Sequence, residues 1–339
     1  MKMSKIIAAS LVASSVLFAG SLADKAKTMG LLPIPTDKSE LSKLTDPNGT
    51  ITPEKVELGK QLYFEPRLSK SGLISCNTCH NLGMGGVDGV SAAVGHNWTA
   101  NPHHLNSPTV YNAVFAEKQF WDGRSPDLED QAQGPMQAMP EMAAAPSLVV
   151  DRVNTMPEYV EAFKKAYGDD VKINFETITA TIGKFERTLV TPSRFDDFLN
   201  GKDDALSDAE KEGLETFLAK GCIACHRGVA LGGGMQKFPL IGKYKYADVG
   251  DFKGDKNGMV KVPTLRNITE TAPYFHNGTI WSLKEAVQEM GRTQLGQEIS
   301  DADAEKIVTF FNALEGRKPM IEYPQLPKIT SETPKPDMK

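Results

Sequence analysis

All four cysteines of the 339-residue chain fall in two short runs, Cys76-Asn77-Thr78-Cys79-His80 and Cys222-Ile223-Ala224-Cys225-His226. A CxxC pair with an adjoining histidine is the attachment chemistry of c-type haem. Both thiols bond to the porphyrin vinyl groups, and the imidazole ligates the iron from one face. A zinc site would need the four thiolates to converge on one ion, and the pairs lie too far apart for a finger or ribbon. A thioredoxin-like redox motif leaves both histidines without a task. The pattern therefore specifies two covalently bound haem c groups, anchored by Cys76, Cys79, His80, Cys222, Cys225 and His226.

Each iron keeps one further axial position, and what fills it decides function. In the first half His96 lies in a stretch with Gly83, Gly85, Gly86, Gly89 and Gly95. Such a loop can bring a ligand to iron and withdraw it. The competing reading of His96 is a solvated loop histidine, the description expected of His103 and His104. In the second half Met235, Met259 and Met290 are the candidate ligands, and core filling is the alternative for each. Met290 follows a helix that starts at the Ser282 and Glu285 capping box and precedes the last core helix, where a small cytochrome places its methionine. Glu141 is the one ionisable side chain from Gln131 to Ala145. Buried there, it would have a raised pKa suited to moving protons; exposed, it would be a loop glutamate. Gln131 either positions a ligand or faces water. Trp121 either lies between the haems or packs in a core.

The elements that must position these groups are helical. Thr52-Pro53 starts a helix carrying Val56, Leu62 and Tyr63, which stops before Pro66. Ser207 and Glu210 form a capping box ahead of Leu214, Phe217 and Leu218, and Gly221 closes that helix. Gly59…Tyr63 matches Gly213…Phe217, with a longer connection to the cysteines in the first copy, so the chain is an internal duplication. Ile178, Ile182, Phe185 and Leu189 trace one downstream helix face, and Ile307, Phe310, Phe311 and Leu314 trace another. No β-alternation is long enough to suggest a sheet. The expected fold is mainly α, with two cytochrome-c-like haem domains, loop-rich connections and an extended C-terminal strap. A signal peptide spans 1–23, an N-terminal haem domain 24–190 and a C-terminal one 191–315, joined near Thr191-Pro192-Ser193. The proline-rich residues 316–339 are expected to run back over the first domain.

Lys2, Lys5, the apolar run from Ile6 to Phe18 and Ser21-Leu22-Ala23 read as a leader cleaved after Ala23. The run is short for a membrane span, so a periplasmic protein with no span in its mature form is expected. With every thiol assigned to haem, no disulfide is expected. A net charge of −5 argues against a nucleic-acid partner and allows a basic redox partner.

Together, SCNTCH, Gly95-His96, NSPTVYNA from Asn106, QFWDGR from Gln119, DQAQGPM through PEM, GCIACH, VPTLRNITETAPYFHNG from Val262 and the EMG at Met290 resemble the bacterial di-haem cytochrome c peroxidases across nearly all of the chain beyond the leader. The resemblance implies that the N-terminal haem is peroxidatic, with His96 its displaceable ligand, Glu141 the acid/base and Gln131 beside it. It implies that Trp121 stands between the haems, that Met290 ligates the high-potential haem, and that calcium binds the Asn106 side chain and the carbonyls of Thr271 and Pro273. The implied reaction is reduction of hydrogen peroxide to water. Electrons from a small soluble cytochrome c or copper protein would enter at the C-terminal haem of a homodimer. A relative that oxidises a partner protein's side chains has tyrosine in place of Met290. A plain electron carrier would leave Glu141 and Gln131 without a task.

Overall fold

The computed structural model describes residues 20–338; the apolar run Ile6–Phe18 lies outside them. The N-terminal half contains α3 (Pro53–Tyr63), the single turn α4 (Cys76–Cys79), α5 (Leu128–Gln131), α6 (Gln133–Gln137), α7 (Pro146–Asn154), α8 (Pro157–Tyr167) and α9 (Phe175–Glu186). The C-terminal half contains α10 (Arg194–Leu199), α11 (Asp208–Ala219), α12 (Leu283–Met290) and α13 (Asp301–Phe311). Ahead of both come α1 (Leu22–Thr28) and α2 (Lys38–Thr45). The mainly helical, two-domain expectation holds. Among the described residues the strands are β1 (Met235–Lys237) and β2 (Met259–Lys261), an antiparallel ribbon too short to show as alternation in sequence.

Helix starts follow side-chain chemistry. Thr52 accepts from the Lys55 N–H at the head of α3, with Pro53 in the first turn, where its missing N–H costs nothing. Ser207 and Glu210 cap α11 reciprocally, and Ser282 accepts from the Glu285 N–H at the head of α12.

Both halves are built on the same helix crossing. Gly59 of α3 lies against the Thr181 carbonyl of α9, and a Cβ at that position would sit 2.8 Å from Phe185 Cβ. Gly213 of α11 lies against the Lys306 carbonyl of α13, where a Cβ would sit 2.8 Å from Phe310 Cβ. One turn on, Tyr63 meets Phe185 with ring centroids 5.3 Å apart, and Phe217 meets Phe310 at 5.6 Å. Around these contacts Leu58, Leu62, Ile178, Ile182, Tyr159 and Phe163 form one core, and Leu214, Leu218, Ile307, Phe311, Phe195 and Phe198 form the other.

The two ends of the chain are exchanged. Ala23 and Ala26 of α1, with Leu31, are buried in the C-terminal core, and the Ile34 N–H donates to Asp196 Oδ1 at 2.7 Å. Residues 22–34 thus lie with the C-terminal half rather than opening the N-terminal one, and Ala23, the expected end of the leader, is inside a helix. The last residues lie against the N-terminal half. Ile321 and Leu326 pack on its core, and Tyr323 meets Phe64 edge-on at 5.0 Å. The buried Arg152 guanidinium donates to the carbonyls of Pro334 (3.1 Å) and Lys335 (2.9 Å) on one side, and of Arg67 (2.6 Å), Ser69 and Lys70 (3.2 Å) on the other.

Two predictions follow from this packing. Gly59→Ala and Gly213→Ala each force a methyl against helix backbone, and each should cost about 1–3 kcal/mol. Thermal melts of the haem-loaded protein would show it, and an unchanged Tm in both would contradict the crossing. The second concerns Glu186, whose carboxyl is buried with Oε2 unpartnered; burial, reinforced by Glu129, raises its pKa to about 8. A free glutamate titrates near 4.3, so wild type loses stability as pH rises from there through about 8. The Tm advantage of Glu186→Gln should grow over that interval and then level off; a pH-independent difference would contradict the assignment.

Candidate active site

Each CxxCH run folds as a single tight turn, α4 in the first half and Cys222–Ala224 in the second. His80 Nδ1 lies 2.9 Å from the Pro108 carbonyl, and His226 Nδ1 lies 3.1 Å from that of Leu231. A carbonyl only accepts, so Nδ1 carries the proton in both rings and Nε2 keeps its lone pair for a metal. Burial lowers the pKa of both imidazoles, that of His226 to about 4, which keeps a ligand neutral. Burial pushes the Cys79 thiol up to about 12 and the Cys222 thiol up to about 11, the reverse of an activated redox dithiol, and no cysteine is in a disulfide. The donor set therefore fits two haem c groups.

A repeated PTxxN segment supports each site. Thr109 Oγ1 donates to the Gly85 carbonyl (2.7 Å) and accepts from the Tyr111 N–H; Thr264 Oγ1 donates to the Ala230 carbonyl (2.6 Å) and accepts from the Arg266 N–H. Each segment ends on an asparagine in the left-handed region, Asn112 at φ 60° and Asn267 at φ 59°. Both amides reach Thr191 Oγ1, at 2.7 and 2.9 Å, so the two supports meet at the join between the halves. Arg266 then forms a buried bidentate pair with Asp196 (2.7 and 3.0 Å).

On the N-terminal side the structure brings His96 and Glu141 together. The His96 N–H donates to the Glu141 carbonyl at 2.6 Å, and Gly95 packs against the Pro140 carbonyl so closely that only glycine fits. Val94 in turn accepts from Cys79 Sγ at 3.7 Å, which brings this loop to the first CxxCH turn. His96 is 7% exposed, and its Nδ1 is buried without a partner. An orphaned imidazole nitrogen there fits a ring held for a group that haem would bring. Burial raises the Glu141 pKa, partly offset by Arg124 and His103. Gln131 ends α5, half-buried, on the segment leading to Glu141. His103 and His104 are not simply solvated: His103 pairs with Asp251 at 2.9 Å, and His104 bonds to the Asn277 carbonyl.

On the C-terminal side, one interdomain cavity is lined by Cys222, Cys225, His226 and Met290, and also by Trp121. Met290 ends α12 and leads into a π-helical turn, Gly291–Leu295, which Ile241 and Gln294 tie to the 237–241 loop. Met235 and Met259 sit instead on the ribbon, Met235 against Gly123. Trp121 Nε1–H donates to the Asn106 carbonyl at 2.9 Å, and its ring meets His276 edge-on. Asn106, Thr271 and Pro273 line the same cavity. Asn106 donates Nδ2–H to Val90, which keeps its Oδ1 available to a cation. Lys261 and His276 also line this cavity; His276 lies within the segment that runs from Val262, whereas nothing in the sequence marks Lys261.

Comparisons with known proteins identify the family. A family model described as di-haem cytochrome c peroxidase matches residues 53–204, and one for cytochrome c matches residues 210–315. The chain is 44% identical to the cytochrome c551 peroxidase of Pseudomonas aeruginosa, over 94% of this chain and 93% of that protein. It is also 44% identical to the cytochrome c551 peroxidase of Nitrosomonas europaea, over 85% and 89%. A solved MauG-like protein associated with microbial copper homeostasis superposes with a TM-score of 0.68 at 25% identity, covering 78% of this chain and 90% of that one. With two haem-binding turns in place and this identity along nearly its whole length, the chain belongs to the di-haem cytochrome c peroxidase family.

Proposed function

We propose that this enzyme reduces hydrogen peroxide to two waters, consuming two electrons and two protons, and that its electrons arrive singly from a small soluble cytochrome c or copper protein in the periplasm. The observation that carries the reading is the backbone bond between His96 and Glu141, which sets a buried, unpartnered imidazole and a burial-perturbed carboxyl beside the first CxxCH turn. Haem, when bound, supplies the irons that exchange electrons with peroxide and with the donor. His80 and His226 present Nε2 from fixed rings. His96, on its glycine-rich loop, would hold the N-terminal haem from the side opposite His80 and would be the residue to move aside for substrate. The Glu141 carboxylate would take a proton from one peroxide oxygen and return it to the other, which leaves as water when the O–O bond breaks with electrons the bound haems would supply, and Gln131 would position the substrate by hydrogen bonding. Trp121, fixed through Nε1 to Asn106, offers an aromatic bridge between the halves, and Met290 would ligate the haem on the electron-entry side.

Calcium at Asn106 Oδ1 and the carbonyls of Thr271 and Pro273 would tie the two halves at that bridge. No carboxylate belongs to this trio, so weak, losable binding is expected. No helix among the described residues is long and apolar enough to cross a membrane. Export through the 1–23 leader and a two-fold dimer complete the reading.

Glu141→Gln should lower peroxide turnover by about 10²- to 10⁴-fold with an unchanged optical spectrum of the resting protein. Turnover at the wild-type level would remove the acid/base role. In an optical and EPR titration, half-reduction in the presence of calcium should turn the N-terminal site high-spin and peroxide-reactive. An oxidised protein that already reacts fully would show that His96 does not gate it, and no reactive state at all would favour a plain electron carrier.

A further inference from the structure

Among the described residues, Lys261 is the one lysine or arginine lining the cavity of Cys222, Cys225, His226 and Met290. It is 8% exposed, at the end of β2, and its N–H donates to the Trp121 carbonyl at 2.7 Å. Asp122, the opposite charge that acts on it, is already paired with Arg124 at 2.9 Å. Its chain neighbours on the cavity wall, Val260, Val262 and Leu265, are apolar. Burial pulls the lysine's pKa down to about 8. A cation in such a place is stable only with an anion beside it. Haem carries two propionate carboxylates, and any that enter this cavity meet no other lysine or arginine among the described residues of its wall.

We propose that Lys261 is a haem-carboxylate-binding residue of the C-terminal site, its ammonium pairing with a propionate of the haem held by Cys222, Cys225 and His226, and that its charge holds that haem's reduction potential up. The proposal rests on the reading that this haem occupies the cavity. Adding an electron to iron is favoured by a nearby positive charge, and a low-polarity wall leaves that attraction poorly screened. Of the two proximal histidines the charge acts on His80, so an effect also reaches the N-terminal haem, through that ligand rather than through a propionate. Through the Trp121 carbonyl and the Trp121 indole, Lys261 joins a continuous bonded chain to Asn106. The same lysine thus stands where the electron path, the propionate and the interdomain contact come together.

The test is spectroelectrochemical titration of both haems in the holoprotein, comparing wild type, Lys261→Met and Lys261→Arg. In Lys261→Met the reduction equilibrium of the C-terminal haem should fall at least tenfold, which for one electron is 59 mV, and the N-terminal haem should move less. Lys261→Arg, which keeps the charge, should stay within about threefold of wild type. Lys261→Gln gives the same comparison if the methionine variant does not accumulate holoprotein. An unshifted C-terminal potential in the neutral variant overturns the proposal, and so does a larger shift at the N-terminal haem, which would assign the lysine to that haem's carboxylate. The readout is independent of turnover. Absent peroxide activity in a protein whose potential shifts as expected sinks the peroxidase reading alone, whereas an unshifted potential in an active enzyme sinks Lys261 alone.

Discussion

The close approach of two helices at a glycine is the constraint on which both haem sites depend. At Gly59 nothing separates α3 from the backbone of α9, and that depth sets where Tyr63, one turn later, can reach. Tyr63 is fully buried, and its hydroxyl donates to the carbonyl of His80 at 2.6 Å. The position of the proximal histidine is therefore transmitted from a missing methyl group, through one aromatic ring. In the second half Gly213 plays the same part, and Phe217, at the position of Tyr63, lines the cavity with His226. Close packing makes such a chain stiff, because neither ring can shift without opening a void or a clash.

The second requirement is polar. Asn112, Thr191 and Asn267 are fully buried and satisfy one another where the halves join, and Asn267 Oδ1 also accepts from the Gly316 N–H. The Asp196–Arg266 pair beside them is buried at both ends and is further bonded by the Ile34 and Ser193 N–H groups. Removing one member would strand a buried charge, so the pair acts more to enforce a single arrangement than to add net stability. That arrangement places Trp121 and Asn106 against the C-terminal cavity with little freedom to vary.

Much of this could be read from the residues, for identifiable reasons. The CxxCH runs declare their chemistry, and Thr52, Ser207 and Ser282 declare helix starts because each satisfies an N–H that the helix leaves orphaned. The match of Gly59…Tyr63 to Gly213…Phe217 was legible because a helix crossing needs glycine and an aromatic one turn apart. The PTVYN and PTLRN segments form an equally visible repeat, but their purpose appears only when both asparagines meet Thr191. The ribbon at Met235–Lys237 escapes a periodicity argument because three residues cannot establish a period. Lys261 and Arg152 are ordinary residues in sequence; only burial, a tertiary property, makes them notable. The placement of α1 is likewise set by contacts more than a hundred residues distant, to which local pattern is blind.

The first and last described segments cross-tie the two halves without a covalent bond. Residues 22–34 wait for partners beyond residue 190, as in the bond from Ile34 to Asp196 across 162 positions, and Arg152 waits for Pro334, 182 positions on. Neither half is a contiguous stretch of polypeptide, so a vectorially emerging chain cannot finish its first half before the last residues of its second have appeared. The long loops closed at that moment carry an entropy cost that is met only when both seams form together. The clasp at Arg152 is in this sense the final stitch of biogenesis.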